Sequence, residues 1–156
     1  MDFNFTEEQT MIRDSLAKLI KDKYDFDTRR KVVASKEGWR PAMWAQFAEL
    51  GLLAAPFSEE DGGLGGGPLD AMVVMEEFGK GLVVEPYLQS VVCGGGFLKR
   101  GSAAQKAEHL TPLISGERVF AFAYAEPKGR YNLADLETTA KKDGNGNYRF
   151  FEPDME

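Results

Sequence analysis

The spacing of the apolar residues changes at Gly116, and this change constrains the fold of the 156-residue chain more than any other feature. Before Gly116, apolar side chains recur at the offsets of one helix face, as Ile12, Leu16, Leu19 and Ile20 do. After it, residues 119–124 form a consecutive apolar and aromatic run that is typical of a buried strand. We therefore predict a helical domain over residues 1–116 and a β segment over residues 117–156.

Capping signals give the boundaries of the predicted helices. Thr6-Glu-Glu-Gln9 and Ser102-Ala-Ala-Gln105 are capping boxes, in which the side chains of the first and last residues satisfy free amide groups of the first turn. Pro41 suits the first position of another helix, and Asp27 suits the cap of a short one. Together with the apolar spacing, these signals predict helices over residues 6–24, 27–33, 41–50, 68–78, 86–98 and 102–114.

Two glycine-rich segments interrupt this pattern. Residues 56–68 form a loop, which lets the next helix pack Leu69, Met72 and Val73 inward. A phosphate cradle is the less favoured reading of this loop, because the lysine and serine of a P-loop are missing. Residues 94–96 are three glycines inside a predicted helix, each costing roughly 0.8–1 kcal/mol relative to alanine. They indicate close approach of a neighbouring element or of a ligand, with close helix packing favoured.

The β segment reads as the start of a sheet. Residues 136–141 alternate loosely, Asp143-Gly-Asn-Gly-Asn147 is a hairpin signal, and Tyr148 to Phe151 form the returning strand. Two or three strands have little to pack against. We therefore expect the chain to contain only part of a β domain.

Composition excludes several classes of function. With 25 acidic and 19 basic side chains and a net charge of -6, the chain offers no basic stripe for nucleic acid. No stretch approaches the roughly 20 apolar residues of a membrane-spanning helix. A lone Cys93 cannot form an internal disulfide, and residues 1–6 resemble no targeting peptide. We expect a cytoplasmic protein with neither a nucleic-acid nor a membrane partner.

Side chains that could carry chemistry are sparse. The single histidine, His109, is expected on a helix surface without a nucleophile near it in the sequence. No pair of residues has metal-ligand spacing, and acidic pairs such as Glu76-Glu77 are expected in solvent. We predict neither a catalytic residue nor a metal site within this chain.

Four segments, in this order and at these separations, resemble the amino-terminal domain of acyl-CoA dehydrogenases. They are DFNFTEEQTMIRDSLAKLI, WAQFAELGLLAAPFSEEDGGLGG, MVVMEEFGKGLVVEP and GSAAQKAEHLTPLISGERVFAFAYAEP. Within the family, GWRPAMWAQFAELGLL and RYNLADLETTA are most similar to the small subunit of pimeloyl-CoA-type dehydrogenases. The resemblance implies a mainly α fold, an orthogonal, up-down helical domain followed by an incomplete β segment.

The resemblance also implies an activity. Family members use FAD to oxidise the α,β carbon–carbon bond of an acyl-CoA thioester to the trans-2-enoyl-CoA, with a glutamate as the base. In most members this base lies in a carboxy-terminal domain that the chain does not contain, so the chain alone is expected to be inactive and not to retain FAD. The parent is expected to form homo- or hetero-oligomers. Two alternatives are a non-catalytic partner subunit of the same fold and a helical interaction module.

Two groups of candidate site residues follow from the resemblance. The family strand that touches the flavin corresponds to Phe122-Ala-Tyr-Ala-Glu-Pro127, which places Phe122, Tyr124 and Ala125 at cofactor-contacting positions. Ala125 replaces a threonine whose hydroxyl commonly bonds the ring, and Tyr131 and Asn132 replace a serine and an aspartate. The helix after Pro86 resembles the one that lines the acyl pocket, so Tyr87, Leu88 and Val91 are candidate substrate contacts. Ordinary core packing is the alternative role for both groups.

Overall fold

The structure, a computed structural model, describes residues 4–123, Gly129, Asn132 and the backbone of Thr139–Lys142 and Tyr148–Phe151. Contacts divide the chain into two compact units, Met1–Phe122 and Ala123–Glu156.

Helices make up most of the first unit, which confirms the predicted mainly α fold. The first four are α1 (Glu7–Lys23), α2 (Phe26–Val33), α3 (Pro41–Glu49) and α4 (Pro68–Gly81). Helix α5 combines wide π-helical turns over Leu88–Gly95 with an α-helical turn over Gly96–Leu98. Helix α6 joins Ala103–Gln105, the π-helical Lys106–Leu110 and Thr111–Ile114, and a short 3₁₀ turn covers Glu59–Asp61.

The helix caps follow the predicted chemistry at all but one position. Thr6 and Gln9 exchange both hydrogen bonds of a capping box, at 3.2 and 3.1 Å, and Ser102 and Gln105 do the same at 3.3 and 2.9 Å. The prediction of Asp27 as the cap of α2 is wrong. Asp25 fills that position instead, and its carboxylate accepts from the amides of Asp27 and Thr28 at 3.0 and 2.9 Å. Because α1 already ends at Lys23, the chain can enter the next helix two residues earlier than expected.

Helix α4 packs against α1, and the contact sets which face of α4 is buried. Val73, Val74 and Phe78 are buried, whereas Leu69 and Met72, which were expected inside, are 61% and 46% exposed. The buried stripe is therefore rotated relative to the prediction, since three apolar residues in one turn allow more than one inward face.

Aromatic side chains form the centre of the core. The rings of Phe47 and Phe78 stack with centroids 4.8 Å apart, and Phe78 meets Tyr87 edge to face at 5.2 Å. Such pairs contribute about 0.5–1.5 kcal/mol each beyond the area that they bury. The other largest fully buried side chains are Trp44, Phe57, Leu16, Leu52, Leu53, Leu110, Leu113, Val73, Val74 and Val91.

The predicted strand over residues 119–124 is absent from its described part, residues 119–123. An apolar run becomes a strand only where a neighbouring strand accepts its backbone hydrogen bonds. Here both backbone groups of Phe120 bond to the side chain of Ser90 instead.

The second unit contains an antiparallel pair of strands, β1 (Thr139–Lys142) and β2 (Tyr148–Phe151). Thr139 pairs with Phe151, and Lys142 with Tyr148. The predicted return of the chain over Tyr148–Phe151 is confirmed, whereas the predicted turn over residues 143–147 lies outside the described residues. Within the described part of the chain, no helix is long and apolar enough to cross a membrane.

Candidate functional site

The three residues predicted to line a substrate pocket differ in their access to solvent. Tyr87 and Val91 are each 1% exposed and pack in the core, while the side chain of Leu88 is 46% exposed. The Tyr87 hydroxyl donates to the carbonyl of Leu52 at 3.0 Å, and burial raises the pKa of this phenol. Leu88 is thus the member of the set with a surface that a ligand could reach.

Leu88 lies on the wall of a cavity of about 370 Å³, which we call the α4–α5 cavity. Helix α2 contributes Arg29 to this wall, and α4 contributes Met75, Phe78 and Gly79. The other lining residues come from the segment that follows these positions in the sequence. That last part consists of Leu82, Val83, Val84, Glu85, Tyr87, Leu88 and Gln89. The structure therefore brings two of the three predicted substrate residues, Tyr87 and Leu88, to one cavity, and Val91 is not among its lining residues.

A buried carboxylate fixes the segment between α4 and α5. Glu85 accepts from the Tyr24 hydroxyl at 2.6 Å and from Nε of Arg40 at 3.3 Å, and its side chain is fully buried. The Arg40 guanidinium also lies 4.4 Å from the centroid of the Tyr24 ring. The Val84 amide donates to the Tyr24 oxygen at 2.8 Å. Burial, reinforced by the hydrogen bond to Glu85, raises the pKa of Tyr24 to about 12.

The glycines of α5 allow close contacts with neighbouring elements, as expected. A Cβ on Gly94 would lie 3.1 Å from Cβ of Phe120, and one on Gly95 would collide with the ring of Phe57. A Cβ on Gly96 would meet nothing within 4 Å. Close approach of neighbouring segments therefore explains the first two glycines of the run, and both segments, at Phe57 and Phe120, lie outside helices.

Ser90 connects α5 to the segment that carries the predicted flavin contacts. Its hydroxyl accepts from the Phe120 amide at 2.8 Å and donates to the Phe120 carbonyl at 3.1 Å, and Ser90 is completely buried. Phe122, two residues further on, is 53% exposed. The other two predicted cofactor contacts, Tyr124 and Ala125, lie outside the described residues.

The described residues fit a flavin in part. Phe122 offers an aromatic surface that could cover a flavin ring. A dinucleotide also carries phosphates, which need cations or helix amino termini. Among the described residues, Phe122 is the predicted flavin contact whose exposure can be stated, and no described phosphate-binding residue adjoins it in the sequence. As for metals, the described positions contain no group of three or more His, Cys, Asp or Glu placed to hold an ion.

Several residues of this region were not singled out by the sequence. Glu85 stands between apolar residues and Pro86, and a charge in such a stretch is a signal for a buried, paired carboxylate. Ser90 and Arg29 carry no comparable signal, because their partners, Phe120 and Leu82, are 30 and 53 positions away. Glu77, which was expected in solvent, is also buried, and its carboxylate forms a salt bridge with the Lys80 ammonium at 2.6 Å.

Comparisons with known proteins support one family. The family described as "Acyl-CoA dehydrogenase, N-terminal domain" matches residues 6–117. A relative from Bacillus subtilis (strain 168), "Probable acyl-CoA dehydrogenase YngJ", is 32% identical over an alignment of 149 residues, and the match covers 92% of this chain and 38% of YngJ.

Two solved structures share the fold. A variant of the "Tcur3481-Tcur3483 steroid ACAD" matches with a TM-score of 0.80 and 26% identity, over 92% of this chain and 39% of its own. The "FAD complex of PigA" matches with a TM-score of 0.73 and 26% identity, over 96% of this chain and 40% of its own. The chain thus spans about two-fifths of the length of each of these three proteins. With the family matched over its whole helical region, the chain belongs to the acyl-CoA dehydrogenase family and carries its amino-terminal domain.

Proposed function

We propose that this chain is the amino-terminal part of an FAD-dependent acyl-CoA dehydrogenase, which oxidises an acyl-CoA thioester to the trans-2-enoyl-CoA. The observation that carries the proposal is the family match over residues 6–117. It is supported by YngJ, which is named as a probable acyl-CoA dehydrogenase, and by PigA, whose structure is described as an FAD complex.

In this proposal the chain shapes one side of the site and supplies no base. Leu88 and Tyr87 border the acyl chain through the α4–α5 cavity, and Val91 supports them from the core. Phe122, Tyr124 and Ala125 would contact the flavin, which would supply a hydride acceptor for the β carbon. Met75, Phe78 and Val83 offer apolar surface to the acyl chain, and Ser90 holds the start of the flavin-contacting segment against α5. The catalytic glutamate is assigned to a part of the parent beyond these residues.

A non-catalytic partner subunit is the second candidate function. This role is favoured by Ala125, because it lacks the threonine hydroxyl that bonds the flavin in the corresponding strand of family members. Tyr131 and Asn132, which replace a serine and an aspartate of the family, favour it as well. The name of one similar structure also joins two components, Tcur3481 and Tcur3483. Under this proposal the parent keeps the fold and assembles with a catalytic subunit.

Product analysis distinguishes the two functions. The natural polypeptide that contains this chain is incubated with FAD, an artificial electron acceptor and a set of acyl-CoA thioesters, and products are identified by mass spectrometry. Loss of two hydrogens from an acyl group supports the dehydrogenase. Absence of turnover from the polypeptide alone, with turnover after addition of a second family subunit, supports the partner role. Absence of turnover in both cases contradicts the proposed activity.

A further inference from the structure

The hydroxyl of Ser90 makes two bonds to the Phe120 backbone of the kind that a neighbouring strand makes. It accepts from the Phe120 amide at 2.8 Å and donates to the Phe120 carbonyl at 3.1 Å. One hydroxyl can do both, because it carries one donor and two acceptor lone pairs. A serine inside a helix often bonds a carbonyl of its own preceding turn. Ser90, which is completely buried, bonds to a different segment of the chain instead.

Gly94 brings the same segment close to α5 a second time. It follows Ser90 by four positions, which is about one turn of a helix. A Cβ on Gly94 would lie 3.1 Å from Cβ and 3.2 Å from Cγ of Phe120. The Phe120 side chain also packs against the hydrophobic core. A hydroxyl on one turn of α5 and a missing side chain on the next therefore both fix the position of Phe120.

The Ser90–Phe120 contact lies between two residues that have roles in the proposed function. Leu88, on the acyl side, precedes Ser90 by two positions on α5, and Phe122, on the flavin side, follows Phe120 by two positions. Even a fully extended chain advances no more than about 3.6 Å per residue, so the Cα atom of Phe122 lies within roughly 7 Å of that of Phe120. The contact thus joins the acyl side to the flavin side by a short path.

We propose that Ser90 is a positioning residue for the oxidation, which fixes Phe122 relative to the acyl wall at Leu88 by bonding both backbone groups of Phe120. The inference rests on the proposed acyl-CoA dehydrogenase function and adds to it a residue that touches neither substrate nor cofactor. The proposed reaction removes a proton from the α carbon and a hydride from the β carbon, and its rate depends on the distance between the β carbon and the hydride acceptor. A displacement of about 1 Å can slow a reaction about a hundredfold.

The first measurement tests whether the Ser90 hydroxyl holds the segment, and it uses the 156-residue chain without cofactor. Amide hydrogen exchange is followed by NMR in the unaltered chain and in Ser90→Ala. Exchange at the Phe120 amide should accelerate roughly ten- to hundredfold, because this amide loses its acceptor, while exchange in α1 stays unchanged. An unchanged rate at Phe120 would overturn the proposal.

Ser115→Ala is the matched control for this measurement. The Ser115 hydroxyl is exposed and donates to the Pro112 carbonyl at 3.2 Å, within its own helix. Its removal changes the same chemical group without touching the segment at Phe120. We therefore expect the exchange rate of the Phe120 amide to be the same in Ser115→Ala as in the unaltered chain.

The second measurement tests whether the position of the segment matters to the reaction. The natural polypeptide that contains the chain is loaded with FAD and mixed with an acyl-CoA without oxygen, and the rate of flavin bleaching is expressed per bound flavin. Ser90→Ala should lower the limiting rate about ten- to hundredfold. The acyl-CoA concentration that gives half of this rate should change less than about threefold, because Leu88 is unaltered. A loss of stability alone would reduce the amount of folded protein and leave the rate per bound flavin unchanged.

Two further variants keep the test decisive if Ser90→Ala folds poorly. Ser90→Thr retains the hydroxyl and should recover most of the limiting rate. Gly94→Ala retains Ser90 itself but places a Cβ against Phe120, so it should slow bleaching without a large change in the half-saturating acyl-CoA concentration. Circular dichroism confirms that each variant is folded.

Two results with the parent would overturn the proposal. A limiting rate per bound flavin that neither Ser90→Ala nor Gly94→Ala lowers would show that the contact stabilises the fold without positioning the reaction. A change confined to the half-saturating concentration would assign Ser90 to acyl binding instead. An unaltered parent whose flavin no acyl-CoA bleaches would contradict the proposed function, and with it this role. That failure is distinguishable, because it occurs before any variant is made.

Discussion

At the scale of single residues, Glu85 joins three parts of the chain, because its partners come from the end of α1 and from the start of α3. Tyr24 is the closer of these partners, and its oxygen also accepts from the Val84 amide. A buried carboxylate that loses a donor keeps its desolvation cost without the compensating bond.

Tyr24→Phe should therefore destabilise the chain by about 1.5–3 kcal/mol, the range for a hydrogen bond to a charged group. Urea denaturation followed by circular dichroism measures the loss. Tyr87→Phe is the matched control, since the Tyr87 hydroxyl bonds a neutral carbonyl and its removal should cost less. Equal costs for the two variants would contradict the role given to Glu85.

The same tyrosine should make stability depend on alkaline pH. Its folded-state pKa of about 12 lies above the ordinary value of 10, so the folded state holds the phenol proton more tightly than the unfolded state. The contribution of Tyr24 is complete below pH 10 and is lost as the pH rises towards 12. Urea midpoints at pH 9, 10 and 11 should fall less steeply for Tyr24→Phe than for the unaltered chain. Parallel curves would show that Tyr24 does not titrate in this way.

At the scale of elements, neighbouring glycines of α5 have different roles. An alanine at Gly95 must displace the Phe57 ring and approach Leu113 at 3.2 Å, whereas an alanine at Gly96 enters open space. We expect Gly95→Ala to destabilise by about 1–3 kcal/mol through overpacking. Gly96→Ala should stabilise by up to about 1 kcal/mol through helix propensity. Thermal denaturation compares the pair, and a destabilising Gly96→Ala would contradict the packing described for α5.

The elements also show where sequence reasoning succeeds and where it fails. The capping boxes at Thr6 and Ser102 were predictable because all their atoms lie within four consecutive residues. The strand expected at Val119 is absent, because a strand needs a partner strand for its backbone hydrogen bonds. The backbone of Phe120 instead bonds to Ser90, which lies 30 positions earlier in the chain. The exposed face of α4 depends in the same way on its contact with α1.

At the scale of the whole molecule, the chain consists of a helical unit and a separate unit that contains the β1–β2 pair. The family and its fold could be predicted, because the four family-like segments can be recognised in the sequence by their order and their separations. The cavity beside Leu88 could not, because it needs Arg29 from α2 beside residues that follow α4. Its existence depends on how α2 packs against α4 and the segment that follows α4.

The β segment should cause the chain to self-associate. Among the described residues β1 pairs with β2 alone, and the outer edge of a strand can bind another strand. The segment is also rich in aromatic residues, each of which carries a large apolar surface. Sedimentation of the whole chain should show oligomers, and a version ending at Phe122 should be monomeric with unchanged helical circular dichroism. The cut follows Phe122 because Phe120 is bonded to Ser90. A monomer in both cases would contradict this expectation.

The central claim, that this chain belongs to a flavin-dependent acyl-CoA dehydrogenase, is tested most directly by the flavin itself. The natural polypeptide that contains the chain is purified and titrated without oxygen with an acyl-CoA, while the visible absorbance is recorded. We expect a stoichiometric flavin spectrum that bleaches as the acyl-CoA is added, and no flavin in the isolated 156-residue chain. A parent polypeptide that binds no flavin, or whose flavin no acyl-CoA can reduce, would contradict the claim.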